Sequence, residues 1–490
     1  MHPSLRALAL AVLAALAPAA AAQDSTDVTL AEAVARAIEE SPTVRQSQAT
    51  DRGRSAAVRA ARANRLPDLF LSVSPQQRYG LGFDQTTGEV VSQTVETVGV
   101  GVQASLALYD GGRTSALVRE ARLRLDAAEA GLGRTEQAVA LDVAQRFLTL
   151  LLDRELLAIE REALASAVAQ RARVAELVEA GARPRGDLLA QEAVVAERRT
   201  ALVVAEGAVQ SDRVGLIQTI GLDPLGAYRF VGPDVDRLQA SGLLDAPAVP
   251  LAELLDAARA ARADRRAQEL AIEAAEAGVA SARAQGRPSL NLTASAGTGY
   301  SSLQQRTVGD TPVLPVTLDD GSPVLVGGLP LTFPGSPAFE TTPLFTQAAD
   351  NRSGAIGLQL SVPIFDRYQT RRQIVEAEIR AEEARIQLDA LDRQVAAEVQ
   401  QAFVDARTAR ARLTAASAQV EAATAALRVE RDRYRLGAGT LYDVAEAQAA
   451  FARAQSVQAQ AAYGLLFRQA LVRLAVGDID PADIAALVGQ

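Results

Sequence analysis

Cysteine is absent from this chain of 490 residues. Disulfides, thiolate metal sites, cysteine nucleophiles and a lipid-bearing cysteine are all excluded. Tryptophan is also absent, and Phe and Tyr bring the aromatics to only 4%, thin for a conventional large core. Histidine occurs once, at His2, so a chain without its first residues has no histidine base and no histidine metal ligand. Basic runs and aromatic-interleaved basic patches are missing and the net charge is −9, so no nucleic-acid partner is expected. No metal, cofactor or catalytic residue is expected either. Asp and Glu are spread at helix-surface spacing, where a solvated face is the default.

Long hydrophobic runs are scarce too. The clearest is at the N-terminus, where Arg6 precedes an apolar stretch from Ala7 to Ala17, Pro18 breaks it, and Ala20-Ala21-Ala22 offers a cleavage site after Ala22. That run is shorter than the ~20 residues needed to span a bilayer. Residues 1–22 therefore read as a cleaved export signal. Beyond them, the richest helical stretch, Val139 to Ile159, is broken by Asp142, Arg146, Asp153, Arg154 and Glu155. The mature chain is periplasmic, secreted, or held in a membrane by β-strands.

What the chain does have is Ala, Leu, Val, Arg and Glu, the composition of long helices, arranged as a duplication. LALYDGGR (106–113) aligns with VPIFDRYQ (362–369), and the same offset of 256 residues carries Val143 to Val399, Phe147 to Phe403, Gly181 to Gly437 and Asp187 to Asp443 without a gap. An earlier block repeats with an offset of 221, taking Pro67 to Pro288. The 35-residue difference is extra loop in the second copy. Repeats of roughly 23–245 and 246–490 are expected.

Each repeat opens with a helical stretch, then a proline and a run of period two. Strands are expected at about 69–79, 97–109, 289–299 and 354–365. Val98, Val100, Val102, Ala104, Leu106 and Leu108 alternate with Gly99, Gly101, Gln103, Ser105 and Ala107. Ile356, Leu358, Leu360, Val362 and Ile364 oppose Gly357, Gln359, Ser361 and Pro363 in the same way. A soluble sheet packed on one face and a transmembrane strand of ~9–11 residues both fit. The export signal, the fourfold recurrence and the small residues on the second face favour the membrane. Four strands are too few for a membrane barrel, whose minimum is ~8, and an open sheet in lipid leaves costly unpaired backbone groups. The membrane reading therefore requires several copies to share one barrel. The loops about 80–96 and 301–352 connect the strands; VLPVTLDDGSPVLV (313–326) has a D-G turn between apolar runs and is expected to form a small hairpin.

Helical hairpins are expected at about 112–220 and 369–475, long segments with proline only near the first tip. The first tip reads EAGARPRGDL and the second RLGAGTLYDV. Gly181 and Gly437 suit helix C-termini. Thr440 and Asp443 have capping-box spacing, whereas the first tip has Pro184 in place of that Thr.

Two strands, a long helix, a G-x-x-x-x-x-D turn and a return helix, twice over and behind an export signal, resemble the TolC-like outer-membrane efflux protein family; RYRLGAGTLYDVAEAQ (433–448) carries the sharpest match. The resemblance covers about 28–475. It implies a mainly α fold with membrane β: a homotrimer with a 12-stranded β-barrel in outer-membrane lipid, continued by a periplasmic α-helical barrel. It also implies a collar including about 222–250 and 476–490, and tips that meet a periplasmic adaptor joined to an inner-membrane pump of RND or ABC type. By position, Tyr434, Asp443 and Glu446 fall on the family's gate tyrosine and constriction acids, and Asp187 on the first-tip aspartate. Arg183, Arg185, Gly439, Thr440 and Leu441 fall in the adaptor-facing tips with the two glycines. Gly439 stands where a gate arginine can lie, and the first-tip arginines Arg183 and Arg185 are expected to substitute for it. Glu446 aligns with Ala190, so duplication did not put it there. The implied function is a passive exit duct. A periplasmic long-helix scaffold or adaptor without a pore is the alternative.

Overall fold

The computed structural model describes residues 26–83, 89–242, 244, 249–319, 321–335 and 337–478. The export signal with Ala22 and the C-terminal part of the expected collar, 479–490, lie outside the described residues. The first half of the chain runs β1 (Thr26–Val28), α1 (Leu30–Glu40), α2 (Pro42–Ala63), β2 (Asp68–Phe83), β3 (Val90–Tyr109), α3 (Arg113–Glu179), α4 (Arg185–Thr219), β4 (Tyr228–Phe230) and α5 (Val235–Ala240). The second runs α6 (Leu251–Ala261), α7 (Ala263–Ala284), β5 (Ser289–Ser301), β6 (Gln305–Val308), β7 (Val313–Pro315), β8 (Leu325–Val326), β9 (Leu329–Pro330), β10 (Thr332–Pro334), β11 (Ala338–Thr341), α8 (Leu344–Asp350), β12 (Ser353–Ser361), α9 (Gln369–Arg435) and α10 (Leu441–Val476). The helices α3 and α9 are each 67 residues long and start and end 256 positions apart.

The duplication reaches the hydrogen bonds that end the helices. Ala182 N–H donates to Leu177 O and Gly181 N–H to Val178 O, and the same pair recurs from Ala438 to Arg433 and from Gly437 to Tyr434. This Schellman arrangement requires a left-handed residue, supplied by Gly181 (φ 71°) and Gly437 (φ 76°).

The chain divides into two compact units that cut across the repeats. One comprises residues up to 55, 123–273 and from 382 onward. Its core forms where Val143, Phe147, Leu150 and Leu151 of α3 meet Leu216 and Ile220, Leu465 and Leu466 of α10, and Leu238 of α5. Phe147 stands edge-on to Phe230 of β4, ring centroids 6.0 Å apart. Strand β4 pairs in parallel with β1, so the segment expected as collar carries a short strand and helix locked to this core. A smaller cluster joins Val395, Val399 and Ala402 of α9 to Ala258 of α6 and Ala475 of α10.

The other unit, residues 56–122 and 274–381, holds the sheet. Four strands lie in the order β12-β5-β3-β2, each antiparallel to its neighbour. Strands β2 and β3 extend beyond the expected 69–79 and 97–109, to 16 and 20 residues, because their polar alternation also pairs Gln77–Phe83 with Val90–Glu96. Most of the loop expected at 80–96 is therefore strand. Strand β12 stops at Ser361 rather than 365: Pro363 has no N–H for the ladder. The 301–352 segment is not plain loop either: β6 pairs with β11, β7 with β10 and β8 with β9, and α8 closes it. Within 313–326, Thr317 bridges Pro323 and Leu318 N–H donates to Ser322 O, a tight hairpin around Gly321; Asp320 lies outside the described residues.

The channel wall and the hairpin tips

Cross-strand register fixes which residues share each face of the sheet. One face aligns Leu71, Val102, Ala296 and Gly354, then Leu69, Ala104, Ala294 and Ile356, then Leu106, Leu292 and Leu358. The opposite face aligns Ser72, Gly101, Gly297 and Ser353, then Phe70, Gln103, Ser295 and Ala355, then Ser105, Thr293 and Gly357. One side is aliphatic but for Gly354; the other is Gly, Ser, Thr and Gln with Phe70 and Ala355 as the exceptions. The aliphatic side is open, with Leu71 and Ile356 70% and 82% exposed. On β3 the apolar row from Val98 to Leu108 covers about 33 Å along the strand, which at the usual ~40° tilt gives the ~25 Å height of a lipid-facing band. Beyond it Gln77 Nε2 donates to Glu96 Oε1 at 3.1 Å and Tyr79 O–H to Gln77 Oε1 at 2.5 Å, a polar and aromatic border. Among the described residues strands β2 and β12 each leave an edge unpaired, so one chain's sheet cannot satisfy its backbone in lipid. Among the described residues no helix is long and apolar enough to cross a membrane.

The hairpin tips belong to the helical unit. At the second, Thr440 and Asp443 close a full capping box: Asp443 N–H donates to Thr440 Oγ1 at 3.2 Å, and Thr440 N–H to Asp443 Oδ2 at 3.0 Å. Hydrogen bonds from Thr440, with a smaller contribution from the Arg433 charge, hold the Asp443 carboxyl below its ordinary range. At the first tip Pro184 caps α4 without a side-chain bond, and Asp187 is half-buried in the first turn, its N–H donating to Pro184 O at 3.1 Å. Leu441 is buried, whereas Glu446 and Arg185 are exposed.

The tips meet at Arg183 and Tyr434. The guanidinium carbon of Arg183 sits 4.7 Å from the centroid of the Tyr434 ring. The Tyr434 hydroxyl is buried and has no hydrogen-bond partner among the described residues. A β-carbon at Gly439 would lie 3.2 Å from Arg433 Cβ and from Tyr434 N, so this turn leaves little room for an arginine there. Farther along the hairpins, Arg431 Nη2 and Gln448 Nε2 both reach Ser166 Oγ at 3.4 Å, beside a cavity of about 60 Å³.

Two features had no signal in the sequence. Arg262, at the α6–α7 junction, is 2% exposed and donates to Asp264 and Glu398 at 2.6 Å and to Ala475 O at 3.2 Å. Asp153 faces Asp212 between α3 and α4; burial first, then the neighbouring carboxyl, pushes Asp153 up to about 6. Among the described residues no acidic or histidine cluster suits a metal ion.

Comparison with known proteins gives one consistent result. The family model described as "Outer membrane efflux protein" matches residues 33–222 and 254–478. Protein CyaE of Bordetella pertussis is 28% identical over 467 residues, spanning 94% of this chain and 86% of that one. The solved structure of CusC superposes with a TM-score of 0.71 at 17% identity, covering 92% of both chains. The outer membrane protein VceC of Vibrio cholerae superposes with a TM-score of 0.67 at 20% identity, covering 91% of this chain and 96% of that one.

Proposed function

Since the chain belongs to the outer membrane efflux protein family and is a TolC-like outer-membrane efflux channel, we propose that it is the exit duct of a tripartite efflux or type I secretion machine. It is not an enzyme. TolC-like channels are trimeric, and three copies of β12-β5-β3-β2 supply twelve strands, so each unpaired edge finds a partner. The observation that carries the reading is the register: with few exceptions, among them Phe70 and Thr298, the sheet sets aliphatic side chains on one face and small or polar ones on the other, with both edges open among the described residues. Substrate passes from a periplasmic adaptor and an RND or ABC pump of the inner membrane, and the tips, Gly181–Asp187 and Gly437–Leu441, are the adaptor-facing surface. Purification from outer membranes and mass measurement in detergent test the assembly. A stable monomer, or a protein recovered only in the soluble fraction, would contradict it.

At the tips, Tyr434 with Arg183 forms the closing contact in place of an arginine at 439, and Asp443, Glu446 and Asp187 line the constriction. Three copies of Asp443 and Glu446 set six carboxylates around one opening, and such a ring concentrates cations and excludes anions at low ionic strength. The exposure of Glu446 and the low carboxyl pKa of Asp443 support that role. Reversal potentials under a salt gradient test it: unchanged cation preference in a Glu446→Gln, Asp443→Asn channel would remove the acids from the filter.

A further inference from the structure

Among the described residues two that are not glycine have a left-handed backbone, and they are adjacent: Arg367 (φ 57°) and Tyr368 (φ 63°). They form the turn between β12 and α9. Their counterparts 256 positions earlier, between β3 and α3, are Gly111 (φ 69°) and Gly112 (φ 91°). The two turns are built alike. Asp110 Oδ2 accepts the N–H of Thr114 at 2.6 Å and Asp366 Oδ2 that of Thr370 at 2.7 Å. Arg113 N–H donates to Asp110 O and Gln369 N–H to Asp366 O, each at 3.2 Å. Glycine enters this conformation freely, while a bulky residue there is an outlier. The second repeat therefore holds two large side chains where the first meets the same geometry with glycine. Strain of this kind collects where side chains have a task.

The surroundings indicate the task. Tyr368 stands edge-on to Phe365 with centroids 6.0 Å apart, and both rings are open to the surroundings. Ile364 beside them is 96% exposed. Arg367 is exposed and makes no hydrogen bond or ion pair among the described residues. The group follows directly on Ile356, Leu358 and Leu360, the aliphatic row of β12, at the strand end that leads into the helix. A paired aromatic at the end of a lipid-facing row sits at headgroup depth, and an unpartnered guanidinium there matches a phosphate.

We propose that Phe365, Arg367 and Tyr368 clamp the phosphodiester headgroup of an anionic phospholipid in the periplasmic leaflet of the outer membrane. The rings seat against the upper acyl chain and Arg367 bonds the phosphate oxygens; the left-handed turn is what aims both side chains outward. The inference rests on the sheet lying in lipid.

The test uses the full-length assembly in detergent and in nanodiscs of phosphatidylethanolamine with or without phosphatidylglycerol. The variants are Arg367→Asn, which keeps a residue tolerant of positive φ but removes the charge, and the double variant Arg367→Gly, Tyr368→Gly. Phosphatidylglycerol should raise the unfolding temperature of the native channel. Native mass spectrometry should find about fivefold less phosphatidylglycerol retained by Arg367→Asn, the loss expected for one basic group at an anionic surface. The double-glycine variant should melt higher than native in lipid-free detergent, yet gain less from phosphatidylglycerol. Full lipid retention and an unchanged lipid-dependent gain in Arg367→Asn would overturn the clamp. So would an equal loss of stability by the double-glycine variant in detergent and in lipid, because the side chains would then hold protein, such as the adjacent subunit. A native chain that fails to enter nanodiscs would instead refute the membrane placement of the sheet, and the clamp with it.

Discussion

Replacing Arg183 by Ala should make the channel open more readily. The guanidinium lies 4.7 Å from the Tyr434 centroid, and the ring is half-buried. A cation–π contact between exposed and desolvated limits is worth ~1 kcal/mol. With three copies acting together, the loss is ~3 kcal/mol, or a shift of about 150-fold in the opening equilibrium. Tyr434→Phe provides the internal control. It keeps the ring under Arg183 and deletes a hydroxyl that is buried without a partner among the described residues, a group that costs ~1–3 kcal/mol when unsatisfied. That variant should close as tightly as native or more tightly. Single-channel recording in planar bilayers reads both effects as open probability. The reasoning is refuted if Arg183→Ala opens no more often than native, or if Tyr434→Phe opens as much as Arg183→Ala.

Other consequences concern the helical unit. The Asp153 carboxyl, raised to about 6, binds its proton more tightly folded than unfolded. Its favourable contribution is complete below pH ~4 and lost as pH rises through ~6. Asp153→Asn should therefore stabilise the channel at pH 7.5 and change little near pH 4. The two-unit shift corresponds to ~3 kcal/mol unscreened, and partial exposure reduces it to ~1 kcal/mol; melting curves across pH check the sign. Phe147→Ala empties a fully buried position against Phe230 and should cost ~3–5 kcal/mol in chemical denaturation. Arg262→Ala takes the 2.6 Å guanidinium from Glu398 and leaves Asp264 only Arg134 at 3.8 Å, and should cost up to ~3 kcal/mol, while Arg262→Met with both acids neutralised should cost far less.

The parts of the molecule legible in the sequence are those where side-chain period and backbone chemistry coincide. Val98 to Leu108 alternate without interruption, so the strand and its aliphatic side were both readable. Thr440 and Asp443 announced a capping box that the hydrogen bonds complete, and Gly181 and Gly437 announced helix ends. Strand length was less legible, because Gln77–Phe83 and Val90–Glu96 carry polar residues that read as loop until cross-strand pairing is known. Contacts between distant segments left no local trace. Arg262 reaches Glu398 across 136 residues and has Ser41 as its counterpart in the first repeat, so the duplication gave no warning of it. The meeting of Arg183 with Tyr434 likewise depends on how two hairpins come side by side. Arg367 and Tyr368 aligned with Gly111 and Gly112 in plain sight, but their meaning needed the backbone angles.

Because the native chain has no cysteine, single substitutions can report each face of the sheet without background. Val100→Cys, Ile356→Cys and Leu358→Cys sit on the aliphatic face; Gln103→Cys, Thr293→Cys and Ser295→Cys sit on the other. With the assembled channel in liposomes, a water-soluble maleimide that enters the pore should label the second group and spare the first, and a lipid-soluble maleimide should do the reverse. Equal labelling of both groups by the water-soluble reagent, or protection of the second group alone, would contradict a channel wall built from these four strands.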